Sequence, residues 1–323
     1  MKILVTGGAG FIGSNFVHHV IGEHKDDEIT VIDDLTYAGR KENLQDVMKD
    51  IEFVKGDIAD EKIVSKLVKR SDAIVNFAAE THVDRSILSA GDFVRTNVFG
   101  VHTLMEASKK FGIKKFVHIS TDEVYGSIDS GSFKETDMLN PSSPYAASKA
   151  AADLLARSYF ITHNVPLVIT RTCNNFGPFE HIEKFIPKVI SNAIQNKHIP
   201  IYGDGTNMRD WIFVNDNCKA VYTVLEKGKL GEIYNISADK EMKNIDLAIM
   251  ILEIMGKPSN LIEFVKDRPG HDRRYSIDCS KIKSLGWKPE IDFEQALGQT
   301  IEWYHSNKNW WKSSESDDFH TRF

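Results

Sequence analysis

Apolar and polar positions alternate in short blocks through the first half of the chain. Apolar runs of five or six residues fall at 2–6, 29–33, 51–55, 73–77, 115–120 and 166–171. Between them, near 11–22, 61–69, 92–111 and 145–163, apolar residues recur at helical spacing. Short strands alternating with helices predict βαβ units. The sheet they build is parallel and covered on both faces, an α/β doubly wound architecture. After residue 171 turn signals crowd in, as in Phe176-Gly177-Pro178, Tyr202-Gly203-Asp204-Gly205 and Arg268-Pro269-Gly270. Helical patterns return near 182–195, 244–255 and 293–306. Residues 1–171 are read as the main sheet domain, with some later segments returning to it, and 172–323 mainly as a smaller C-terminal lobe. No linker separates them, so a shared interface is expected. The polar tail from about Ser313 is expected to be mobile.

The first run ends in Thr6-Gly7-Gly8-Ala9-Gly10-Phe11-Ile12-Gly13, and an apolar helix pattern follows at once. Glycines there permit a tight turn and close approach of a pyrophosphate to the N-terminus of a helix. A Gly-rich turn alone is weak evidence. Here it sits between a strand and a helix, and the second strand ends at Asp33, 20 residues after Gly13. That acid is placed to accept hydrogen bonds from ribose hydroxyls. The combination predicts a Rossmann-type dinucleotide site. Asp33 and Asp34 would both repel a 2′-phosphate, and Arg40 lies too far along to pair with one, so NAD is favoured over NADP.

Two further patterns carry chemistry. Pro144-Tyr145-Ala146-Ala147-Ser148-Lys149 places Tyr145 and Lys149 on one helical face. An ammonium near a phenol stabilises the phenolate, so the pair is expected to act as a base on an alcohol. An isolated match of this kind is commonly an exposed pair; the dinucleotide fingerprint upstream raises its weight. The strand at 115–120 runs into Thr121-Asp122-Glu123, where ligands of doubly wound sheets sit. Adjacent carboxyls there can divide their work, one holding a proton and the other ionised.

Composition narrows the classes. The 323-residue chain carries a net charge of −6 with acids and bases mixed, which argues against a general nucleic-acid or membrane-surface binder. The three cysteines, Cys173, Cys218 and Cys279, show no CxxC and no Cys/His metal spacing, so no metal is expected. No apolar stretch approaches a membrane span. Met1-Lys2-Ile3-Leu4-Val5 reads straight into a strand without a secretory h-region, and a cytoplasmic setting is expected.

Taken together, the fingerprint, Tyr145-x-x-x-Lys149 and Ser120-Thr121 resemble the extended short-chain dehydrogenases/reductases. Ser120-Thr121-Asp122-Glu123-Val124-Tyr125-Gly126 and Ala78-Ala79-Glu80-Thr81-His82-Val83-Asp84-Arg85-Ser86 resemble the dTDP-glucose 4,6-dehydratases within them. Asn174-Asn175-Phe176-Gly177-Pro178, Arg209-Asp210-Trp211 and Asp267-Arg268-Pro269-Gly270-His271-Asp272 do so too. The likeness runs from residue 2 to about 311.

The resemblance implies C4 oxidation of a nucleotide sugar, loss of water across C5 and C6, and reduction at C6 with retained NAD. It implies that Tyr145 with Lys149 deprotonates the 4-hydroxyl, Thr121 bonds the same oxygen, Glu123 takes the C5 proton and Asp122 protonates the leaving hydroxyl. It implies an NAD site of Gly7, Gly10, Phe11, Ile12, Gly13, Asp33, Asp34, Leu35, Thr36, Asp57, Ile58, Ala78, Ala79, Glu80, Thr96, Tyr145, Lys149 and Asn175. The implied sugar-nucleotide contacts are Thr81, Thr121, Asn174, Lys184, Phe185, Pro200, Ile201, Tyr202, Arg209, Asn235, Asp267, Arg268 and His271. Arg209 and His271 suit a diphosphate, which needs donors and positive charge; Tyr202 and Trp211 also fit as core aromatics. A homodimer through the helices at 92–111 and 145–163 is implied as well. The chain departs from the pattern at Asp34, where Lys is common, at Cys173, where Ser is common, and in a short 127–143 segment. A UDP-glucose dehydratase, a sister NAD-dependent epimerase or decarboxylase, and a non-catalytic NAD-binding regulator are the competing readings. The epimerases and decarboxylases need no acid–base couple for eliminating water.

Overall fold

The computed structural model describes residues 1–313. The tail expected to be mobile therefore lies almost wholly outside the described residues. The parallel strands β1 (Lys2–Thr6), β2 (Glu28–Asp33), β3 (Ile51–Lys55), β4 (Ala73–Asn76), β5 (Lys115–Thr121) and β6 (Leu167–Thr172) stand where the apolar runs predict them, within one or two residues. A seven-stranded sheet forms in the order β10-β6-β5-β4-β1-β2-β3. Its outermost strand, β10 (Ile233–Ile236), pairs with β6 and comes from late in the chain. No sequence signal marked it.

Period-two alternation sorts the side chains into two cores. Ile3, Val5, Val31, Val75, Val117 and Val168 face one side, where α1 (Phe11–Glu23) and α8 (Val214–Lys227) pack together. Leu4, Ile32, Ile74, Phe116, Leu167 and Ile169 face the other. There α2 (Glu61–Val68), α5 (Val101–Phe111) and α6 (Pro144–His163) pack in sequence. Ser143 caps α6 by accepting from the Ala146 N–H, Pro144 opens it, and Asn164 ends it in the left-handed conformation at φ 55°.

The predicted helix at 92–111 is not uniform. After α3 (Val83–Leu88) comes α4 (Gly91–Phe93), then a π-helical stretch, Val94–Gly100, before α5. The widened turn aims buried Asn97 at the main chain of Glu80, whose N–H it accepts from and whose carbonyl it donates to. Asn97 also donates to Ser148 Oγ on α6. Such π segments commonly accompany functional sites.

The smaller lobe holds a three-stranded sheet, β11 (Glu241–Lys243), β9 (Met208–Phe213) and β7 (Asn174–Phe176), and the pair β8 (Ile199–Tyr202) with β12 (Ile262–Val265). Around them pack α7 (Phe185–Gln195), α9 (Asn244–Ile254), α10 (Ser280–Lys283), α11 (Phe293–Ser306) and α12 (Lys308–Lys312). One hydrophobic cluster runs from the α1 face of the large sheet into this lobe, so the two halves share a core. Among the described residues no helix is long and apolar enough to cross a membrane, and no cluster of metal-ligating side chains occurs.

Candidate active site

A cavity of about 700 Å³ opens at the carboxyl ends of β1, β2, β4 and β5. Its floor is the first βα turn, where Gly7, Gly10, Phe11, Ile12 and Gly13 line it. Gly7 takes φ +66°, and its N–H donates to the Ile32 carbonyl at 2.8 Å. A Cβ on Gly13 would stand 2.3 Å from the Gly7 carbonyl oxygen. Turn and helix thus touch, backbone to backbone. No side chain caps α1, and its first turn carries no acid. Its positive end is left for an external anion.

The edge beyond β2 and β3 carries Asp33, Asp34, Thr36, Asp57 and Ile58. Asp33 accepts from the Ala9 N–H at 2.9 Å and the Leu35 N–H at 2.8 Å. Burial raises the Asp33 pKa, and these two N–H groups oppose the rise. Leu35 does not line the cavity. It takes φ 55° and its N–H donates to Asp33. Arg40 is turned away: its guanidinium donates to the Trp310 carbonyl and to Ser313 Oγ on the C-terminal segment. With two carboxylates at the ribose edge and Arg40 committed elsewhere, the residues fit NAD without a 2′-phosphate.

Ala78, Ala79, Glu80 and Thr96 form the middle of the wall. Burial, with the Asp92 charge second, pushes the Glu80 pKa up to about 7. At the far end Thr81, Thr121, Asp122, Glu123, Tyr145, Lys149, Asn174, Asn175 and Lys184 come together. Thr121 is the hinge of this group. Its hydroxyl is hydrogen-bonded to Tyr145, approaches Asp122 Oδ1 at 3.2 Å and accepts from the Glu123 N–H at 3.3 Å. The Oδ1 atoms of Asn174 and Asn175 and Oδ2 of Asp122 are buried without a protein partner.

The two carboxyls have unequal surroundings. Burial holds Asp122 well above the ordinary carboxyl range, and Glu123 beside it pushes the same way. Burial also raises Glu123, but Arg268, Arg209 and Lys184 pull it back. Asp122 is the better proton donor and Glu123 the better base. Tyr145 departs from expectation. Burial and the charges of Glu123 and Asp122 raise its phenol, while the Lys149 ammonium donates to the Ile119 carbonyl at 2.6 Å rather than to the phenol. Burial lowers Lys149 itself to about 8.

The remaining sequence-derived positions lie outside the cavity lining. Arg209 and Arg268 stand behind the carboxyl pair and act on it through charge. Arg209 lies over Tyr275 at 4.1 Å and donates to the Asp272 carbonyl at 2.9 Å. Arg268 and Tyr202 both bond buried Asp84, each at 2.9 Å. Pro200 is half-buried in β8. Ile201 is a core residue, and Phe185 stacks on Trp211, so for these two packing explains the residue type. His271 bonds Asp267 at 2.6 Å, but burial and the flanking arginines lower it to about 4. It is therefore neutral at neutral pH, and the positive charge expected of it comes from the arginines. Asn235 is spent on Tyr125 and the Phe133 carbonyl. Asn244, at the start of α9, has a buried Oδ1 with no protein partner. Sequence reasoning also missed Tyr37, Arg85 and Glu183, which line the cavity. Arg85 pairs with buried Glu183 at 3.1 Å across 98 positions, a link no local pattern carries.

The model of the GDP-mannose 4,6 dehydratase family matches residues 4–300. The chain belongs to that family. Within it, the chain is 52% identical over 306 residues to the low-salt glycan biosynthesis protein Agl12 of Haloferax volcanii, covering 94% of this chain and 98% of that protein. It is 47% identical over 317 residues to the dTDP-glucose 4,6-dehydratase of Mycobacterium tuberculosis, covering 97% and 96%. The crystal structure of DesIV, a dTDP-glucose 4,6-dehydratase from Streptomyces venezuelae with NAD and TYD bound, superposes with a TM-score of 0.96 at 46% identity, covering 98% of this chain and 100% of that one. The resemblance seen in the motifs thus extends over nearly the full length, and the doubly wound fold is that of the family.

Proposed function

We propose that this chain is an NAD-dependent dTDP-glucose 4,6-dehydratase. The observation that carries the reading is the Asp122–Glu123 pair. Burial raises both of these adjacent carboxyls beside Thr121 and Tyr145, but the Glu123 charge raises Asp122 further while Arg268, Arg209 and Lys184 pull Glu123 back. An alcohol oxidation alone needs only Tyr145, Lys149 and Thr121; elimination of water needs an acid and a base as well. The DesIV complex with NAD and TYD supports the cofactor and the thymidine carrier.

The residues of this chain divide the work as follows. The glycine turn, Asp33, and the wall at Ala78 to Glu80 would hold NAD. When bound, NAD accepts a hydride from C4 of the sugar, returns it at C6, and brings a cationic ring to the site. Tyr145 takes the proton of the 4-hydroxyl, and Thr121 orients that oxygen. The Lys149 charge favours the phenolate, against the burial that opposes it. The resulting ketone acidifies C5. Glu123 removes the C5 proton, Asp122 donates to the C6 oxygen, and the C6–oxygen bond breaks to release water. A proton then returns to C5 as the alkene is reduced, so the cycle is redox-neutral and favours retained NAD.

Three finer readings accompany this one. The apolar side chains of Leu154 (59% exposed) and Ile161 (64%) on α6, with Phe99 and Val94 on the adjacent π segment, support a homodimer through these helices. The three free, buried thiols are consistent with a reducing, cytoplasmic setting. The product suits pathways to rhamnose and other deoxysugars. The test is incubation with dTDP-glucose and, separately, UDP-glucose, followed by product mass. Loss of one water from the dTDP sugar is expected; faster loss from the UDP sugar would move the carrier, and loss from neither would refute the reading.

A further inference from the structure

Tyr145, Lys149 and Asp153 follow one another at four-residue spacing along α6 and share its inward side. All three are buried, at 7%, 4% and 2% exposure. The chemistry above uses the first two and gives the third nothing to do. Asp153 nonetheless sits in a buried polar cluster, in which its Oδ2 is hydrogen-bonded and its Oδ1 is not. Its Oδ2 accepts from Arg171 Nε at 2.9 Å. Arg171 also donates to the Tyr125 hydroxyl at 2.8 Å, which donates to Asn235 Oδ1 at 2.9 Å. On the other side, His118 Nε2 lies 3.5 Å from Asp153 Oδ1. The Nδ1 of His118 faces the Asn76 amide nitrogen at 3.1 Å, and Asn76 Oδ1 accepts from Thr6, which fixes the amide orientation. Nδ1 is therefore the acceptor, and the ring proton is on Nε2, on the side of Asp153 but without a hydrogen bond to it.

The charges can be followed around Lys149. On its own helix stand Tyr145 and Asp153. From β5 comes His118, which burial and the Lys149 and Arg171 charges keep neutral. From β6 comes Arg171, paired with Asp153. In the turn after β5, Asp122 and Glu123 oppose ionisation of Tyr145, and so does the charge of Asp153 itself. Burial drives the Lys149 ammonium toward neutrality, and Asp153 is the charge that opposes it.

Building on the dehydratase reading, we propose that Asp153 is a positioning residue for the reaction: held by Arg171 one turn below Lys149, it keeps the Lys149 ammonium charged and anchored to the Ile119 carbonyl beside Tyr145. The active form needs that ammonium. With Lys149 titrating near 8, activity falls as pH rises through that value. Removing the Asp153 charge moves the fall into the neutral range.

The experiment is the pH profile of turnover on dTDP-glucose for wild type, Asp153→Asn and Asp153→Glu. An isotope-edited NMR titration of the Lys149 ε-carbon in the NAD-loaded protein accompanies it. Asp153→Asn is expected to shift the alkaline limb and the Lys149 midpoint down by about one unit or more, the scale of a nearby opposite charge. Asp153→Glu should hold both near wild type. Because Asp153→Asn leaves Arg171 unpaired, the double variant Asp153→Asn/Arg171→Gln removes both buried charges and should show a downward shift in a folded protein, smaller than that of the single variant because a cation is lost as well. Lower stability or lower turnover with an unmoved limb and an unmoved Lys149 midpoint would overturn the proposal. A wild type that releases no water refutes the dehydratase reading, while the Lys149 titration still decides the role of Asp153.

Discussion

Two alanine substitutions in α1 test the contact between the glycine turn and its helix. On helix propensity alone, Gly13→Ala and Gly22→Ala should both stabilise, by about 0.5–1 kcal/mol. The structure separates them. A Cβ at Gly22 meets no atom within 4 Å. At Gly13 it would lie 2.3 Å from the Gly7 oxygen, 2.9 Å from Gly8 Cα and 3.0 Å from the Gly7 carbonyl carbon. Ordinary carbon contacts are about 3.5–4.0 Å, so roughly 1 Å must be opened between two backbones. No flexible side chain is there to give way. Overpacking of this kind costs about 1–3 kcal/mol. Net of the propensity gain, Gly13→Ala is expected to destabilise by about 1–2 kcal/mol, with Gly22→Ala on the other side of wild type. Urea unfolding of the NAD-stripped proteins measures the first effect. NAD content after gel filtration measures the second: Gly13→Ala should lose cofactor, because the same backbone is the proposed phosphate cradle, and Gly22→Ala should not. Equal stability of the two variants, with full cofactor in both, would refute the reasoning.

Asp122→Asn should slow release of water by about 10²–10⁴-fold, the range of a lost general acid, while C4 oxidation survives. Reduced cofactor would then accumulate on the enzyme and show in its absorbance; loss of C4 oxidation with elimination intact would reverse the role assignment. Wild type should bind NAD far more tightly than NADP, and Asp33→Ser should narrow that gap by about tenfold or more, the loss of one buried carboxylate facing a 2′-phosphate; an unchanged ratio of dissociation constants would remove Asp33 from cofactor choice. Asp60 caps α2 by accepting from the Lys62 and Ile63 N–H groups, so Asp60→Ala should cost about 0.5–2 kcal/mol in unfolding experiments and leave turnover unchanged.

The sheet was legible where one residue type did one job. Val31 and Ile32 point to opposite cores, and the run around them reads as a buried strand whatever follows it. The nucleotide floor was legible for the same reason, since Gly13 and Asp33 answer to local geometry. What stayed hidden depends on distant partners. β10 is four residues long and becomes a sheet strand only because β6 offers an open edge. The π stretch at 94–100 has no sequence signature, because the shift in register is set by the bonds of Asn97 to Glu80 and Ser148. Asn235 reads as a binding amide from its motif, and only the fold shows its side chain bonded to Tyr125 and Phe133, whereas Asn244, similar in type, has the unpartnered oxygen. Tyr145 shows the same limit in chemistry. The four-residue spacing predicts a lysine close by, but it does not report that Glu123, Asp122 and Asp153 surround the phenol and oppose its ionisation.

The central claim is that Asp122 and Glu123 turn an alcohol oxidation into a dehydration. Its most direct test is turnover of dTDP-glucose in heavy water, with product analysed by mass and by NMR at C5 and C6. Glu123 exchanges the C5 proton with solvent, so the account predicts a product that has lost one water and carries one deuterium at C5 and none introduced at C6. A product of unchanged composition, inverted at C4 and free of deuterium, would contradict it.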